Sequence, residues 1–305
     1  MKKIVILLLL FPVLFFAQEK TKSLFSKRLH LGFDVAKTSV KTVPSDFAYM
    51  GKNISEDWKR TALYTGIVGA LILVDRPTTE FYQEHIEAHI NYKLPNITIN
   101  KKKNRFPWVS GYDAYMFYTM SGIYAGSLFT GFEKGQYAAI NGFKSLAYSI
   151  LISHITLKTI FGRARPNTSL KNGISDNPHT TNNPFDFFNS RGGEYVFSDQ
   201  RGTALPSLHA TAFFAMAKVF QMEFDNYWIP YGFAAIVFGA EFRQHRHWVS
   251  DMVAGGIIGT IIGRSVVRSS WKARGILPDE KKEITFKCIP TISSRYKGLQ
   301  LVANF

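Results

Sequence analysis

A chain of 305 residues, 46% hydrophobic and only 19% charged, can bury one large core and leaves the choice between one domain and two open. Its single cysteine, Cys288, excludes an intrachain disulfide framework. The 37 Lys and Arg against 22 Asp and Glu give a formal charge of +15, so the partners expected are anionic: nucleic acid, lipid headgroups or phosphorylated small molecules.

The N-terminus narrows that choice. Residues 1–17 combine Lys2 and Lys3, an apolar run from Ile4 to Phe16 and a small residue, Ala17. The run is short of the roughly 20 residues that cross a bilayer, so these residues read as a secretory signal peptide. Export to a periplasm or cell envelope makes intracellular nucleic acid an unsuitable partner.

Residues 18–60 form a mixed, basic N-terminal extension without a sustained period, read as short elements and loop. A helical domain over 61–275 follows. Its apolar segments are Thr61–Val74, Ala114–Phe132, Tyr137–Phe161, Pro206–Phe224, Tyr227–Phe242 and Asp251–Val267. Six segments of helical length, rich in Ala, Leu, Ile and Phe, predict an all-α six-helix bundle. Long polar loops interrupt it at residues 76–112 and 166–205, the second dense in Asn, Pro, Gly and Ser.

Only Ala114–Phe132 is an uncharged run of the length a membrane span needs. The other segments are shorter or contain Lys144, Lys158 or histidines, and the mean hydropathy is −0.04. Soluble, peripheral and integral forms all remain open. From residue 276 to 305 the period shortens to two: Ile284, Phe286 and Cys288 alternate with polar residues, as do Leu299, Leu301 and Ala303, which predicts a short β-hairpin.

Three clusters carry candidate chemistry. In "KTIFGRARPN", Lys158, Arg163 and Arg165 gather where Gly162 and Pro166 stop a helix, and arginine's planar fork meets phosphate oxygens in pairs. In "ALPSLHA", Pro206 suits a first helical position, and the amides that follow, with Ser207 and the helix dipole, form an anion site. His209 lies in the same turn and can give a proton to a leaving group.

In "EFRQHRHWVSDMVAGG", His247 and Asp251 are four apart, which on a helix would put them on one face and let the carboxylate fix the ring's tautomer. A fourth stretch, "EHIEAH", sets His85 and His89 at a spacing that can hold metal, but it lacks the His-Glu-x-x-His order and reads as a polar, solvated helix. No metal ligand is assigned.

Together the three clusters resemble the type 2 phosphatidic acid phosphatase and vanadium haloperoxidase superfamily, whose signature is Lys-x6-Arg-Pro, then Pro-Ser-Gly-His, then Ser-Arg-x5-His-x3-Asp. Lys158, Arg165 and Pro166 match the first motif. Pro206, Ser207 and His209 match the second with Leu208 in the glycine place, and His247 and Asp251 match the end of the third. The resemblance covers roughly residues 110–270.

It implies metal-independent hydrolysis of phosphate monoesters or diphosphates, of small molecules or of lipids, with no cofactor. His247 would become phosphorylated, Asp251 would orient it and His209 would protonate the leaving oxygen. Lys158, Arg165, Ser207 and the amide of Leu208 would hold the phosphate oxygens.

One departure bears on activity. Six residues before His247 stands Glu241, where the family has its second phosphate-binding arginine. A carboxylate about 4 Å from a phosphate oxygen would cost about 4 kcal/mol at an effective dielectric near 20, so Arg243 is assigned the arginine's role, with Arg246 as the other candidate. Two alternatives follow from the same residues: a vanadate-dependent haloperoxidase, with vanadate as its cofactor, or an envelope binding protein whose site is altered at Glu241.

Overall fold

The computed structural model describes residues 19–97, 109, 111–173, 178–189, 202–241, 247–276, 285–292 and 297–304. The residues read as a signal peptide therefore lie outside the described residues. The chain divides into two compact units, one ending at Ser270 and the other running from Trp271 to the C-terminus.

The first unit is helical. Residues read above as short elements and loop instead form two helices, α1 (Glu19–Lys41) and α2 (Val43–Ser55). Their mixed composition hid a packing face that is largely polar. Lys144 Nζ lies 2.6 Å from Asp46 Oδ2, and Tyr148 donates to the same oxygen at 2.8 Å. Lys144 also donates to Thr42 Oγ1 at 2.7 Å, and Asn53 to Ser265 Oγ at 2.8 Å. Hydrogen bonds of this kind leave no hydrophobic period to read.

Helix α3 (Trp58–Leu73) starts at Asp57, whose side chain accepts from the Arg60 amide, and has no buried residue. A short helix, α4 (Asp75–Phe81), continues through a π turn (Tyr82–Ile86) and a 3-10 turn (Glu87–His89). There the His85 ring stacks on Phe81 at 4.5 Å, and the polar helix expected for "EHIEAH" is broken into these turns. Helix α5 (Asp113–Thr130) ends at Gly131, whose φ of 77° is open to glycine without steric cost.

Helix α6 (Glu133–Ser149) is predominantly buried and passes through a π segment (Ile150–Leu157) into the single turn α7 (Lys158–Phe161). Helices α8 (Leu208–Phe224), α9 (Trp228–Glu241) and α10 (Val249–Ala273) complete the unit. The core joins α5, α6, α8 and α9 through Met116, Met120, Leu146, Phe213, Met216 and Val237, each contributing about 1.5–3 kcal/mol by leaving water.

Helices α8 and α10 meet backbone to backbone. A Cβ on Gly255, Gly259 or Gly263 would collide with the carbonyl of Ser207, Thr211 or Ala215 respectively. Both sets are spaced by four, so one helical stripe lies directly on the other. This close approach fixes the start of α10 against the start of α8.

The second unit contains an antiparallel hairpin, β1 (Thr285–Ile292) and β2 (Lys297–Asn304), as the alternation predicted. Phe286 pairs with Ala303 and Cys288 with Leu301, so the apolar positions share register. Among the described residues the fold is all-α apart from this hairpin, the two-residue pair described below and isolated bridges.

Candidate active site

The site is assembled from three chain segments held by a buried node. Gly162, with φ of 51°, ends α7 and turns the chain into an extended run, where Arg165–Pro166 pairs in parallel with Thr180–Thr181. Arg163 bridges to Thr203, and the Ala204 amide donates to Arg163 O at 3.0 Å, which brings the first and second motifs together. The Ser207 amide in turn donates to Asp251 O at 3.0 Å, which joins the second motif to the third.

Arg163 is the centre of that node. Fully buried, it donates to Asp251 Oδ1, Asp75 Oδ2 and Ser250 Oγ at 2.7 Å each and to Pro184 O at 2.7 and 2.9 Å. Its guanidinium also lies 5.2 Å from the rings of Phe187 and Trp248. The sequence grouped Arg163 with two phosphate-binding cations. Its anions are instead the protein's own, because Asp75 and Asp251 flank it on both sides.

Helix α4 completes the support. The Ser250 amide donates to Asp75 Oδ1 at 3.0 Å, the Ser250 hydroxyl bonds the other Asp75 oxygen, and the Val249 amide donates to Thr79 Oγ1 at 3.1 Å. The first amides of α10, which have no acceptors within their own helix, are satisfied by α4. Asp251 reaches back to accept from the Trp248 amide at 3.0 Å, as an acidic residue does in a capping box. Trp248 is buried and donates through its indole to Ala164 O at 2.9 Å.

These bonds correct the expected His247–Asp251 geometry. His247 precedes α10 and does not share a helical face with Asp251. Nδ1 of His247 stands 3.7 Å from Asp251 Oδ2, an electrostatic contact longer than a hydrogen bond. Both Asp251 oxygens are already engaged, one by Arg163 and the other by the Trp248 amide. Burial pushes the Asp251 carboxyl above its ordinary value, and the Arg163 charge opposes that shift.

His247 is held well below the ordinary histidine value, first by burial and then by the charges of Arg165, Lys158 and His209; a hydrogen bond to the Ala204 backbone opposes them. The structure thus brings Lys158, Arg165 and His209 around His247. Lys158 is buried, and Arg165 Nε donates to Thr203 Oγ1 at 3.0 Å. A neutral imidazole beside these cations has the chemistry a nucleophile needs, and the cations suit an anion.

The second motif enters at the head of α8. Ser207 is the N-cap and accepts from the Ala210 amide at 3.4 Å, so Leu208 is the first helical residue. Pro206 therefore precedes the cap and does not take the first helical position expected for it. Helix geometry leaves the Leu208 and His209 amides without intrahelical acceptors, which suits an anion and needs no glycine at residue 208. His209 is about one-third exposed, with Nε2 3.3 Å from Asp113 Oδ2.

Arg243 and Arg246 lie outside the described residues, and Glu241 closes α9. Among the described residues, no three His, Cys, Asp or Glu side chains converge as metal ligands. Sequence reasoning missed Asp75, Thr79, Ser250 and Asp113. The signal for Asp75 was a lone carboxylate directly after the apolar run "ALILV", with Thr79 one helical turn beyond it.

An all-α domain in which a buried imidazole sits among lysine, arginine and a second histidine is the architecture that the three motifs require. Residues 142–274, from within α6 to the end of α10, match the model of the PAP2 superfamily. No curated protein and no solved structure gives a significant match. Proteins of the PAP2 superfamily are generally phosphatases acting on phosphorylated substrates.

Proposed function

We propose that this protein is an exported phosphatase that hydrolyses phosphate monoesters or diphosphates, including those of lipids, through a phosphohistidine and without a metal cofactor. The observation that carries this reading is the grouping of Lys158, Arg165 and His209 around a buried His247 whose neutral form is favoured. The imidazole nitrogen facing away from Asp251 attacks phosphorus, and the phosphorus–oxygen bond to the leaving group breaks. His209 supplies the proton that the departing oxygen needs.

Lys158, Arg165 and the amides at the head of α8 balance the charge on the phosphate oxygens, in positions fixed before the substrate arrives. Water then attacks the phosphohistidine with His209 as base, and inorganic phosphate leaves. Arg243 is assigned to the phosphate as well, in place of the family arginine displaced by Glu241.

Association with a lipid surface fits the outer face of the helices. Trp228 is 88% exposed, and Ile229, Leu63, Leu73, Phe33 and Phe129 are also largely exposed. Exposed apolar side chains of this kind support contact with another apolar phase.

Hydrolysis of a chromogenic aryl phosphate by the full chain and by His247→Ala tests the reading. Turnover by the wild type and its loss in the variant is the expected result. No His247-dependent turnover would leave the envelope binding protein, and bromination with added vanadate would favour the haloperoxidase.

A further inference from the structure

Asp113 opens α5, yet its side chain does not serve that helix. Oδ1 is buried without a hydrogen-bond partner among the described residues, and Oδ2 faces His209 Nε2 at 3.3 Å. The carboxylate is only 15% exposed, and its partner is an imidazole from another helix. A buried carboxylate so poorly satisfied is costly, and its retention calls for a charge or proton that it steadies.

We infer that Asp113 is the positioning residue for the general acid, holding the Nε2–H of His209 so that Nδ1 is the nitrogen that delivers a proton to the leaving oxygen. The inference rests on the phosphatase reading above. In the first step the His247 lone pair forms the nitrogen–phosphorus bond, the ester bond breaks, and its electron pair takes the Nδ1 proton of doubly protonated His209. His209 then keeps Nε2–H toward Asp113. In the second step Nδ1 takes a proton from the attacking water, which restores the imidazolium.

The logic is that of a histidine oriented by a buried aspartate, applied here to the acid and not to the nucleophile. Ionisable groups that face His209 include Asp113 from α5 and His247 from the segment before α10; Lys158 and Arg165 act on His247 from the first motif. The two cations therefore favour a neutral nucleophile, and Asp113 favours a charged acid. Environments that separate two imidazoles in this way divide the acid role from the nucleophilic one.

The test compares wild type, Asp113→Asn and Asp113→Glu on a p-nitrophenyl phosphate and an alkyl phosphate across pH. Asp113→Asn is expected to move the basic limb of kcat/KM down by about one unit or more. It should also lose at least about 10-fold more activity on the alkyl ester, whose leaving group needs the proton, than on the nitrophenyl ester. Asp113→Glu should recover part of both.

Histidine NMR titration of the full chain provides a second readout, with the His209 resonance titrating at lower pH in Asp113→Asn. Equal losses on both esters with an unmoved basic limb, or a His209 titration unchanged by the substitution, would overturn the inference while leaving a His247-dependent phosphatase intact. Absence of His247-dependent hydrolysis in the wild type would remove both.

Discussion

The two imidazoles of the site occupy opposite surroundings. His247 is buried, ringed by Lys158 and Arg165, and backed by an aspartate whose oxygens are already bonded. His209 is about one-third exposed and faces a carboxylate with spare hydrogen-bonding capacity. The difference teaches where each kind of rigidity lies: the carboxylate beside His247 is fixed by the fold, and the carboxylate beside His209 is aimed at that imidazole.

The sharpest way to break that comparison is to remove the node on the His247 side. Arg163→Met leaves Asp75 and Asp251 buried without their cation, and unfolding measurements should show about 3–5 kcal/mol of lost stability. Replacing both aspartates as well, with Asp75→Asn and Asp251→Asn, should recover part of the stability but not the turnover. The Asp113–His209 contact is not itself a bond of this node, so the His209 NMR titration should persist in any folded fraction.

A smaller effect comes from separating the two sides. Gly259→Val drives a side chain into the Thr211 carbonyl and pushes α10 off α8, at a cost of about 1–3 kcal/mol. Activity should fall more than stability predicts, because the Ser207–Asp251 bond that joins the motifs lies at the head of this seam. The same substitution at Gly66 or Gly69, where an added Cβ meets nothing, should leave turnover near wild type.

The smallest effect is on pH dependence. Because the folded His247 value lies well below 6.5, the acid limb of kcat/KM assigned to the nucleophile should fall below that of an ordinary histidine. Stability carries the same sign. Below about pH 6.5 the unfolded ring binds a proton that the folded ring refuses, so stability falls as pH drops toward the folded value, by no more than about 1.4 kcal/mol per unit. Chemical denaturation of His247→Gln should show a shallower decline over that window.

The grouping of the candidate residues was legible because motif spacing survives folding: Lys158, Arg165, Ser207, His209, His247 and Asp251 all reach one region. Their supports were harder to read. Asp75 and Asp113 act across long sequence separations on single partners, and one carboxylate beside an apolar run carries no period. Helices α1 and α2 were missed because Asp46, Thr42 and Asn53 attach them through hydrogen bonds where an apolar stripe was sought.

The seam of Gly255, Gly259 and Gly263 was visible as a spacing of four, but nothing in the sequence named Ser207, Thr211 and Ala215 as its partners. The split of the first motif was also hidden. Lys158 and Arg165 serve the site, whereas Arg163 is turned inward by two aspartates that arrive from residues 75 and 251.

The measurement closest to the central claim is rapid quenching of the full chain with a phosphate ester, followed by mass spectrometry of the peptide containing His247. Base-stable, acid-labile phosphate on His247, absent from His247→Ala, is the predicted result. Steady turnover with no phosphate on that residue at any quench time would contradict it.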